Sequence, residues 1–212
     1  DQKVLASKNG TTTLPLASLS KVMTAVSATL HTSKDTMIPI TPESIEGGYD
    51  FGLAKGQVWS LRELLKYTLI ISSNDGASVV ADSFGGKKIF LDQMNKDAQD
   101  LGLNLFFTDP AGRDTGDIIG GKGNAYDVAK LFGIARHRIP EILDATTRKR
   151  ETVATTKGKL SGIPNTNQTI ESYPGAEASK TGFTDMAGGN LGVIVDVSVG
   201  RPIVIIVLGS TR

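Results

Sequence analysis

The segment "LPLASLSKVMTA", residues 14–25, places a lysine one helical turn after a serine, at the start of an otherwise apolar helix. The apolar residues recur at the i, i+3, i+4, i+7 spacing of a core-facing stripe, which predicts a helix over 19–31. The stripe consists of Leu19, Val22, Met23, Val26 and Leu30. A neighbouring row consists of Ser18, Lys21, Ala25 and Ala28. Because the rest of that row is small, another chain segment can approach Lys21 closely, and we do not expect this lysine simply to extend into solvent.

The composition limits the classes of protein to which the chain can belong. Its 212 residues suffice for one large domain or two small ones, and we interpret residues 1–212 as a single domain. Lysine and arginine number 23 against 22 acidic residues, a balance that argues against a nucleic-acid-binding surface. No apolar run is long enough to span a membrane, and the absence of cysteine excludes disulfides and thiol catalysis. The first residues do not form a signal peptide, so we expect either a cytosolic protein or a mature, trimmed chain.

Helix patterns fill the middle of the chain. Helices are predicted over 61–70, 75–84, 88–102, 125–137 and 140–146. The first of these has a capping box formed by Ser60 and Glu63. Before it, "TMIPI" predicts a short strand that is followed by a glycine-rich loop through Gly56, and residues 109–124 predict a long Gly/Asp loop.

Strand patterns lie at both ends of the chain. "KVLASK", "NG" and "TTTLPL" predict a strand, a tight turn and a returning strand near the amino terminus. After a strand at 151–156 and a polar stretch, three further strands are predicted at 177–182, 190–199 and 202–209, with a turn at Gly200. We therefore predict an α/β fold of the α+β type, with an antiparallel sheet made from the two chain ends and packed against a mostly helical insert.

Several features that resemble known sites are better explained as ordinary structure. "GDIIGGKG", residues 116–123, nearly matches a phosphate-binding loop but lacks the final hydroxyl residue and a preceding apolar strand. Asp109, Asp114 and Asp117 miss the spacing of a calcium-binding loop, and we expect them to lie in a solvated loop. The two histidines fit a helix end and a basic surface, so we expect neither a histidine base nor a metal site.

Three short motifs occur along the chain in a fixed order. Ser18 and Lys21 form S-x-x-K, Ser72 and Asn74 form S-x-N directly after an apolar helix, and "KTG" occupies 180–182 on a predicted strand. The first motif alone is common by chance, but the three together, each at an element boundary, are a strong joint signal. A similar trio is found in β-lactamases and penicillin-binding proteins.

The motif residues suit nucleophilic catalysis by a serine. A serine hydroxyl attacks poorly until a base removes its proton, and Lys21 lies one turn from Ser18 on the same helix face. An ordinary lysine, with a pKa near 10.4, is almost wholly charged at pH 7. Burial and a second cation both lower a lysine pKa, and a decrease of about three units corresponds to roughly 4 kcal/mol. We expect Lys180 to supply the second charge and attract an anionic substrate, Ser72 to relay a proton, and Asn74 to hold Lys21 or a substrate amide.

The chain resembles the low-molecular-mass penicillin-binding proteins, the serine-type D-alanyl-D-alanine carboxypeptidases. The resemblance covers nearly the whole chain and rests on "LPLASLSKVMTA", "LLKYTLIISSNDGASVVAD", "IPNTNQTI" and "ASKTGFTDMAGGNL". It implies a β-lactamase/transpeptidase-like fold and, without any cofactor or metal, cleavage of the terminal D-Ala-D-Ala bond of peptidoglycan stem peptides through an acyl-enzyme. It further implies that β-lactam antibiotics are inhibitors and that the protein is bacterial and extracytoplasmic, in the periplasm or cell wall.

The resemblance also implies roles for individual residues. The implied catalytic residues are Ser18, Lys21, Ser72, Asn74 and Lys180. The implied substrate-binding residues are Thr181, Gly182, Phe183 and Thr184. Ser18 is the implied nucleophile and Lys21 its base, and the backbone N–H groups of Ser18 and Phe183 form the implied oxyanion hole. Thr181 and Thr184 are the implied contacts of the substrate carboxylate.

The sequence also departs from the family pattern. Thr166 stands where some members carry an arginine that helps to bind the terminal carboxylate. The family has a helix and strand before the first motif's hairpin and a helix after the last strand, so we expect terminal elements to be missing. A β-lactamase and a covalent β-lactam receptor are the alternatives to a DD-peptidase. A β-lactamase needs a carboxylate that activates the deacylating water, and "EILD" at 141–144, in a predicted helix, is the only near match to the loop that supplies it.

Overall fold

The computed structural model describes residues 3–45 and 51–211, so the part of the predicted glycine-rich loop at 46–50 lies outside the described residues. The predicted helices are confirmed, with ends close to the predicted ones. They are α1 (Ser20–His31), α2 (Leu61–Ile70), α3 (Asn74–Ser83), α4 (Lys87–Asp100), α5 (Ala125–Arg138) and α6 (Pro140–Asp144). Within the described ranges, none of them combines the length and the apolarity needed to cross a bilayer.

The strands form four antiparallel sheets within the described residues. The strands are β1 (Leu14–Pro15), β2 (Met37–Pro39), β3 (Val58–Ser60), β4 (Phe106–Phe107), β5 (Gly121–Gly123), β6 (Arg150–Thr155), β7 (Gly158–Pro164), β8 (Ala176–Thr184), β9 (Gly188–Asp196) and β10 (Pro202–Ser210). Two sheets have three strands each, in the orders β10-β9-β8 and β1-β5-β4, and β2-β3 and β6-β7 are two-stranded.

The sheet β10-β9-β8 packs on helix α5 and carries the third motif on its edge strand. Ile194 of β9 is fully buried, as is Ala178 of β8 opposite to it. A Cβ on Gly192 would lie 2.4 Å from the Phe132 ring, so glycine lets β9 approach α5 closely. Lys180 is the cross-strand partner of Gly192. The three predicted carboxyl-terminal strands and their hairpin turn are confirmed, with Gly200 at a φ of +78° in the turn.

Helix α2 begins where the capping pattern predicts. Oγ of Ser60 accepts a hydrogen bond from the backbone N–H of Glu63, which satisfies one of the unpaired donors of the first turn. The Glu63 carboxylate accepts from Nζ of Lys66 and from the N–H of Ala154 in β6. Glu63 thus links the start of α2 to a neighbouring strand.

The predicted amino-terminal hairpin is wrong. Leu14–Pro15 pairs with Gly121–Gly123, and the segment that was predicted as its partner contains Val4 and Leu5, which are 55% and 65% exposed. A strand without apolar cover or a paired neighbour is not stable. The main sheet therefore consists of strands from 176–210 alone among the described residues, so the amino-terminal end adds no strand to it there. The predicted α/β class, with an antiparallel sheet packed against a mostly helical segment, is confirmed.

Two further strands lie where loops were predicted. Gly121–Gly123 is a strand inside the Gly/Asp loop, and the polar stretch after β6 forms β7. A Cβ on Gly121 would lie 2.4 Å from Oγ of Ser20, so only glycine allows this strand to lie against α1. Strand β7 is mostly exposed and therefore lacks the apolar alternation by which strands are recognised.

Both predicted rows of α1 are buried, except for one half-buried residue at an end of each. Val22, Met23 and Val26 of the apolar stripe are at most 1% exposed. Lys21 and Ala25 of the second row are both 0% exposed, so the lysine lies entirely inside the protein. A buried lysine requires polar partners, because an unpaired ammonium group in the interior costs several kcal/mol. Those partners define the candidate site.

Candidate active site

Ser18 lies in a tight turn that is held by backbone segments on two sides. The turn is a 3₁₀ helix, Ala17–Leu19, that leads into α1. Ala17 has a φ of +46°, a left-handed conformation that costs about 1–2 kcal/mol for a residue with a side chain. A Cβ on Gly182 of β8 would lie 3.1 Å from N of Ser18, and one on Gly112 would lie 2.0 Å from O of Ala17. Glycine at both positions therefore lets two segments support the strained turn.

Nζ of Lys21 contacts three oxygen atoms. It lies 2.8 Å from Oγ of Ser18, 2.9 Å from Oδ1 of Asn74 and 2.8 Å from O of Ala111. Amide and peptide oxygens can only accept hydrogen bonds, so in a neutral amine both N–H bonds point to Asn74 and Ala111. The nitrogen lone pair is then left for the hydroxyl hydrogen of Ser18. This geometry suits a general base beside its nucleophile.

Ser72 and Asn74 lie in the turn between α2 and α3. Ser72 has a φ of +62°, and Ser73 caps α3 by accepting the N–H of Gly76 at 2.7 Å. Asn74, the first residue of α3, directs its Oδ1 to Lys21. The left-handed residue lets the two polar side chains of the motif contact different lysines, because Oγ of Ser72 lies 2.8 Å from Nζ of Lys180.

Lys180 is the second buried lysine, with 2% of its surface exposed. Its Nζ donates to Oγ of Ser72 at 2.8 Å and to the carbonyl of Thr181 at 2.7 Å. Burial, together with the positive charge of Lys21, holds the pKa of Lys180 well below its ordinary value. The site therefore brings together two buried lysines, one bonded to Ser18 and Asn74 and the other to Ser72.

The remaining substrate-binding candidates follow Lys180 along β8. Oγ1 of Thr181 lies 2.6 Å from Oγ1 of Thr166, and the side chain of Phe183 is exposed beside it on the strand. The hydroxyl of Thr184 accepts the N–H of Ala187 at 3.1 Å, within the turn to β9. Thr181 is thus placed at the site by its neighbours, whereas the hydroxyl of Thr184 already serves the hairpin turn, and its contact with a substrate stays a prediction.

The carbonyl of Ala111 is a site contact that the sequence analysis missed. The loop that carries it is not solvated as predicted, because Asp109 is 3% exposed. Oδ1 of Asp114 accepts the N–H of Gly120 at 2.9 Å, which also ties the loop together. Any residue type supplies a carbonyl, so its only signal in the sequence was the row of small residues beside Lys21, which allows a segment to come close.

Other groups that the sequence analysis singled out lie in structural contacts. Glu141 of α6 lies 2.5 Å from Nζ of Lys34 and 2.7 Å from Nη1 of Arg62. Nε2 of His31 lies 2.9 Å from Oδ1 of Asp97. Over 3–45 and 51–211, no cluster of three or more histidine, aspartate or glutamate side chains is arranged to hold a metal ion.

An antiparallel sheet packed on helices, with the S-x-x-K, S-x-N and K-T-G side chains meeting beside its edge strand, defines the class of penicillin-recognising serine proteins with the transpeptidase fold. The chain belongs to the D-alanyl-D-alanine carboxypeptidase family, peptidase S11, whose model matches residues 1–212.

Individual relatives agree with this family. The chain is similar to the D-alanyl-D-alanine carboxypeptidase DacF of Bacillus subtilis, with 31% identity over 87% of this chain and 49% of the relative. It is similar to the D-alanyl-D-alanine endopeptidase of Escherichia coli, with 32% identity over 98% of this chain and 67% of the relative. The structure of penicillin-binding protein D2 of Listeria monocytogenes in its ampicillin-bound form matches with a TM-score of 0.81 and 30% identity, over 99% of this chain and 85% of that chain. The chain thus spans 49% to 67% of the length of these two curated relatives.

Proposed function

We propose that this protein is a serine DD-peptidase that cleaves the terminal D-Ala-D-Ala bond of peptidoglycan stem peptides through an acyl-enzyme. The observation that carries the proposal is the 2.8 Å contact between Nζ of Lys21 and Oγ of Ser18, with Asn74 and Ala111 taking the N–H bonds of the amine. In this proposal, residues 1–212 form one catalytic domain that acts outside the cytoplasm of a bacterium. β-Lactam antibiotics acylate the same serine.

Acylation uses the pair formed by Ser18 and Lys21. Oγ of Ser18 attacks the carbonyl carbon between the two D-alanines while its proton moves to Nζ of Lys21. The oxyanion that forms is received by the backbone N–H groups of Ser18 and Phe183. The close approach of Gly182 to N of Ser18 supports this role, because it brings β8 beside the nucleophile turn. Each preorganised donor of this kind stabilises the transition state by about 3 kcal/mol.

Release of D-alanine needs a proton on the leaving nitrogen. Lys21 holds that proton after the attack of Ser18, and Ser72 relays it as the carbon–nitrogen bond breaks and the acyl-enzyme forms. Lys180 orients the Ser72 hydroxyl at 2.8 Å, and Lys180 and Thr181 bind the substrate carboxylate, whose negative charge favours the charged form of Lys180. Water then attacks the acyl carbon, its proton moves to the neutral Lys21, and Ser18 is regenerated.

A direct test supplies a synthetic peptide that ends in D-Ala-D-Ala and measures released D-alanine. We expect release by the wild-type chain and none by Ser18→Ala, which removes the nucleophile and little else. A cross-linked stem-peptide dimer assayed in parallel distinguishes endopeptidase from carboxypeptidase action. A chain that is acylated by penicillin but neither releases D-alanine from the peptide nor splits the cross-linked dimer would instead be a covalent β-lactam receptor.

The contacts of Glu141 favour a peptidase over a β-lactamase. Burial by itself would raise the pKa of Glu141, but the hydrogen bond from Lys34 and the charges of Lys34 and Arg62 hold it below its ordinary value. A carboxylate paired in this way is a poor base for activating water. We therefore expect the penicilloyl adduct to persist for minutes or longer, and turnover of penicillin at about 10 per second, the rate of a median enzyme, would indicate a β-lactamase.

A further inference from the structure

The loop formed by residues 109–113 contacts the nucleophile helix at three points. The Ala111 carbonyl accepts from Nζ of Lys21 at 2.8 Å, and the Pro110 carbonyl accepts from Oγ1 of Thr24 at 2.5 Å. Gly112, with a φ of +76°, packs directly on O of Ala17. The position of this loop therefore determines the position of the Ala111 carbonyl, one of the three groups that contact the Lys21 amine.

Asp109 closes the loop on itself. Its Oδ1 accepts the N–H of Ala111 at 2.9 Å and the N–H of Arg113 at 3.1 Å, and its backbone O accepts the N–H of Gly112 at 3.1 Å. The N–H and C=O of a trans peptide point in opposite directions. Because the Gly112 N–H points back to Asp109, the Ala111 C=O of the same peptide points the other way, toward Lys21.

Lys87, at the start of α4, anchors the Asp109 carboxylate from outside the loop. Its Nζ lies 2.7 Å from Oδ2, and Nη2 of Arg113 lies 3.7 Å from the same oxygen. Burial by itself would raise the pKa of Asp109, but the hydrogen bonds from Lys87 and the Arg113 N–H, with the charges of both residues, hold it below its ordinary value. The carboxylate is therefore charged at neutral pH and accepts from fixed donors on both of its oxygens.

We propose that Asp109 is a positioning residue for acylation: its carboxylate, anchored by Lys87, fixes the Ala111 carbonyl and so orients the lone pair of Lys21 toward Ser18. This inference rests on the proposed function, because it concerns the base of that reaction. Asp109 acts through the loop backbone, and its effect is on the geometry of Nζ.

Lys87→Ala tests the inference with little risk to the fold, because the Lys87 side chain is 43% exposed. With a fluorescent penicillin, we expect the acylation rate constant at saturating ligand to fall about tenfold to a hundredfold, the loss typical of a misplaced catalytic group. The dissociation constant of the initial complex and the final labelling of one ligand per chain should be unchanged. Lys87→Arg should restore most of the rate, since it retains a cation beside Asp109. Asp109→Asn, which keeps the shape but not the charge, should also lower the rate constant.

Lys88→Ala is the matched control. Lys88 is the next residue of α4 and makes an ion pair of the same 2.7 Å length with the exposed Asp92. We expect it to be acylated at the wild-type rate. A Lys87→Ala rate constant equal to that of Lys88→Ala would overturn the inference. A Lys87→Ala chain with an unchanged rate constant but less final labelling would also overturn it, because that result indicates loss of folded protein. A wild-type chain that is not acylated at all would overturn the proposed function as well, so the two failures are distinguishable.

Discussion

Arginine in place of each buried lysine should produce very different losses. At position 21, arginine keeps the positive charge but cannot accept a proton, because a guanidinium stays protonated and fewer than about one molecule in 10⁵ is neutral at pH 7. If Ser18 must transfer its proton to a neutral nitrogen, acylation by Lys21→Arg falls about 10⁵-fold relative to a neutral lysine. The three oxygens within 2.9 Å of Nζ also leave little space for a branched guanidinium.

At position 180, arginine keeps the function that we propose for the lysine. The Ser72 hydroxyl and the Thr181 carbonyl, at 2.8 and 2.7 Å, can accept from a guanidinium as well as from an ammonium group. The larger side chain overpacks a buried position, at a cost of about 1–3 kcal/mol. If all of that cost falls on the transition state, the rate decreases about 5-fold to 150-fold. Lys180→Arg should therefore retain measurable acylation.

The assay is the time course of labelling by a fluorescent penicillin, with thermal unfolding of each variant as the control for folding. We expect Lys180→Arg to be labelled slowly and Lys21→Arg to be labelled almost not at all. Comparable rates in the two variants would refute the reasoning, because Lys21 would then not be the proton acceptor. Ser72 or a group of the substrate would have to take that role.

Three further results are expected. The pKa of Lys180 is lower in the folded protein than the value of about 10.4 in the unfolded chain, so the unfolded chain binds more protons at pH values between the two. The free energy of unfolding therefore rises with pH across this window. Lys180→Met should abolish that rise and increase the free energy of unfolding at neutral pH, and urea unfolding at several pH values measures both effects. The same variant should lose acylation. Gly112→Ala places a Cβ 2.0 Å from O of Ala17 at a φ of +76°, so calorimetry should show a loss of more than about 1 kcal/mol, together with slower acylation. Ser60→Ala removes the cap that binds the Glu63 N–H and should cost about 1 kcal/mol in thermal unfolding without changing acylation.

Local patterns explain which elements the sequence predicts. Val22, Met23 and Val26 bury one face of a single helix, so their spacing alone predicts it. Gly121–Gly123 has two residues without side chains, and its partner Leu14–Pro15 lies more than a hundred positions earlier, so no local pattern indicates this pairing. The amino-terminal hairpin failed for the converse reason, since a good turn does not make a strand without a neighbour to pair with.

The candidate site likewise contains groups that the sequence predicts and groups that it does not. Ser18, Lys21 and Asn74 carry side chains with a recognisable chemistry at a recognisable spacing, and the structure brings all three together. The role of the Ala111 carbonyl could not be predicted, because every residue type has a backbone oxygen. The role of the Asp109 carboxylate could not be predicted either, because the local sequence around a buried loop aspartate is the same as that around a solvated one. Their roles depend on where the loop packs, which is a property of the tertiary structure.

The most direct test of the central proposal is to label the wild-type chain with penicillin, digest it with trypsin and locate the adduct by tandem mass spectrometry. The tryptic peptide of residues 9–21 contains both Ser18 and Ser20, so fragmentation within it is needed to distinguish them. We expect the whole adduct on Ser18, the serine whose Oγ contacts Lys21, and none on the fully buried Ser20. An adduct on Ser7, Ser20 or Ser72 in the folded protein would contradict the assignment of Ser18 as the nucleophile.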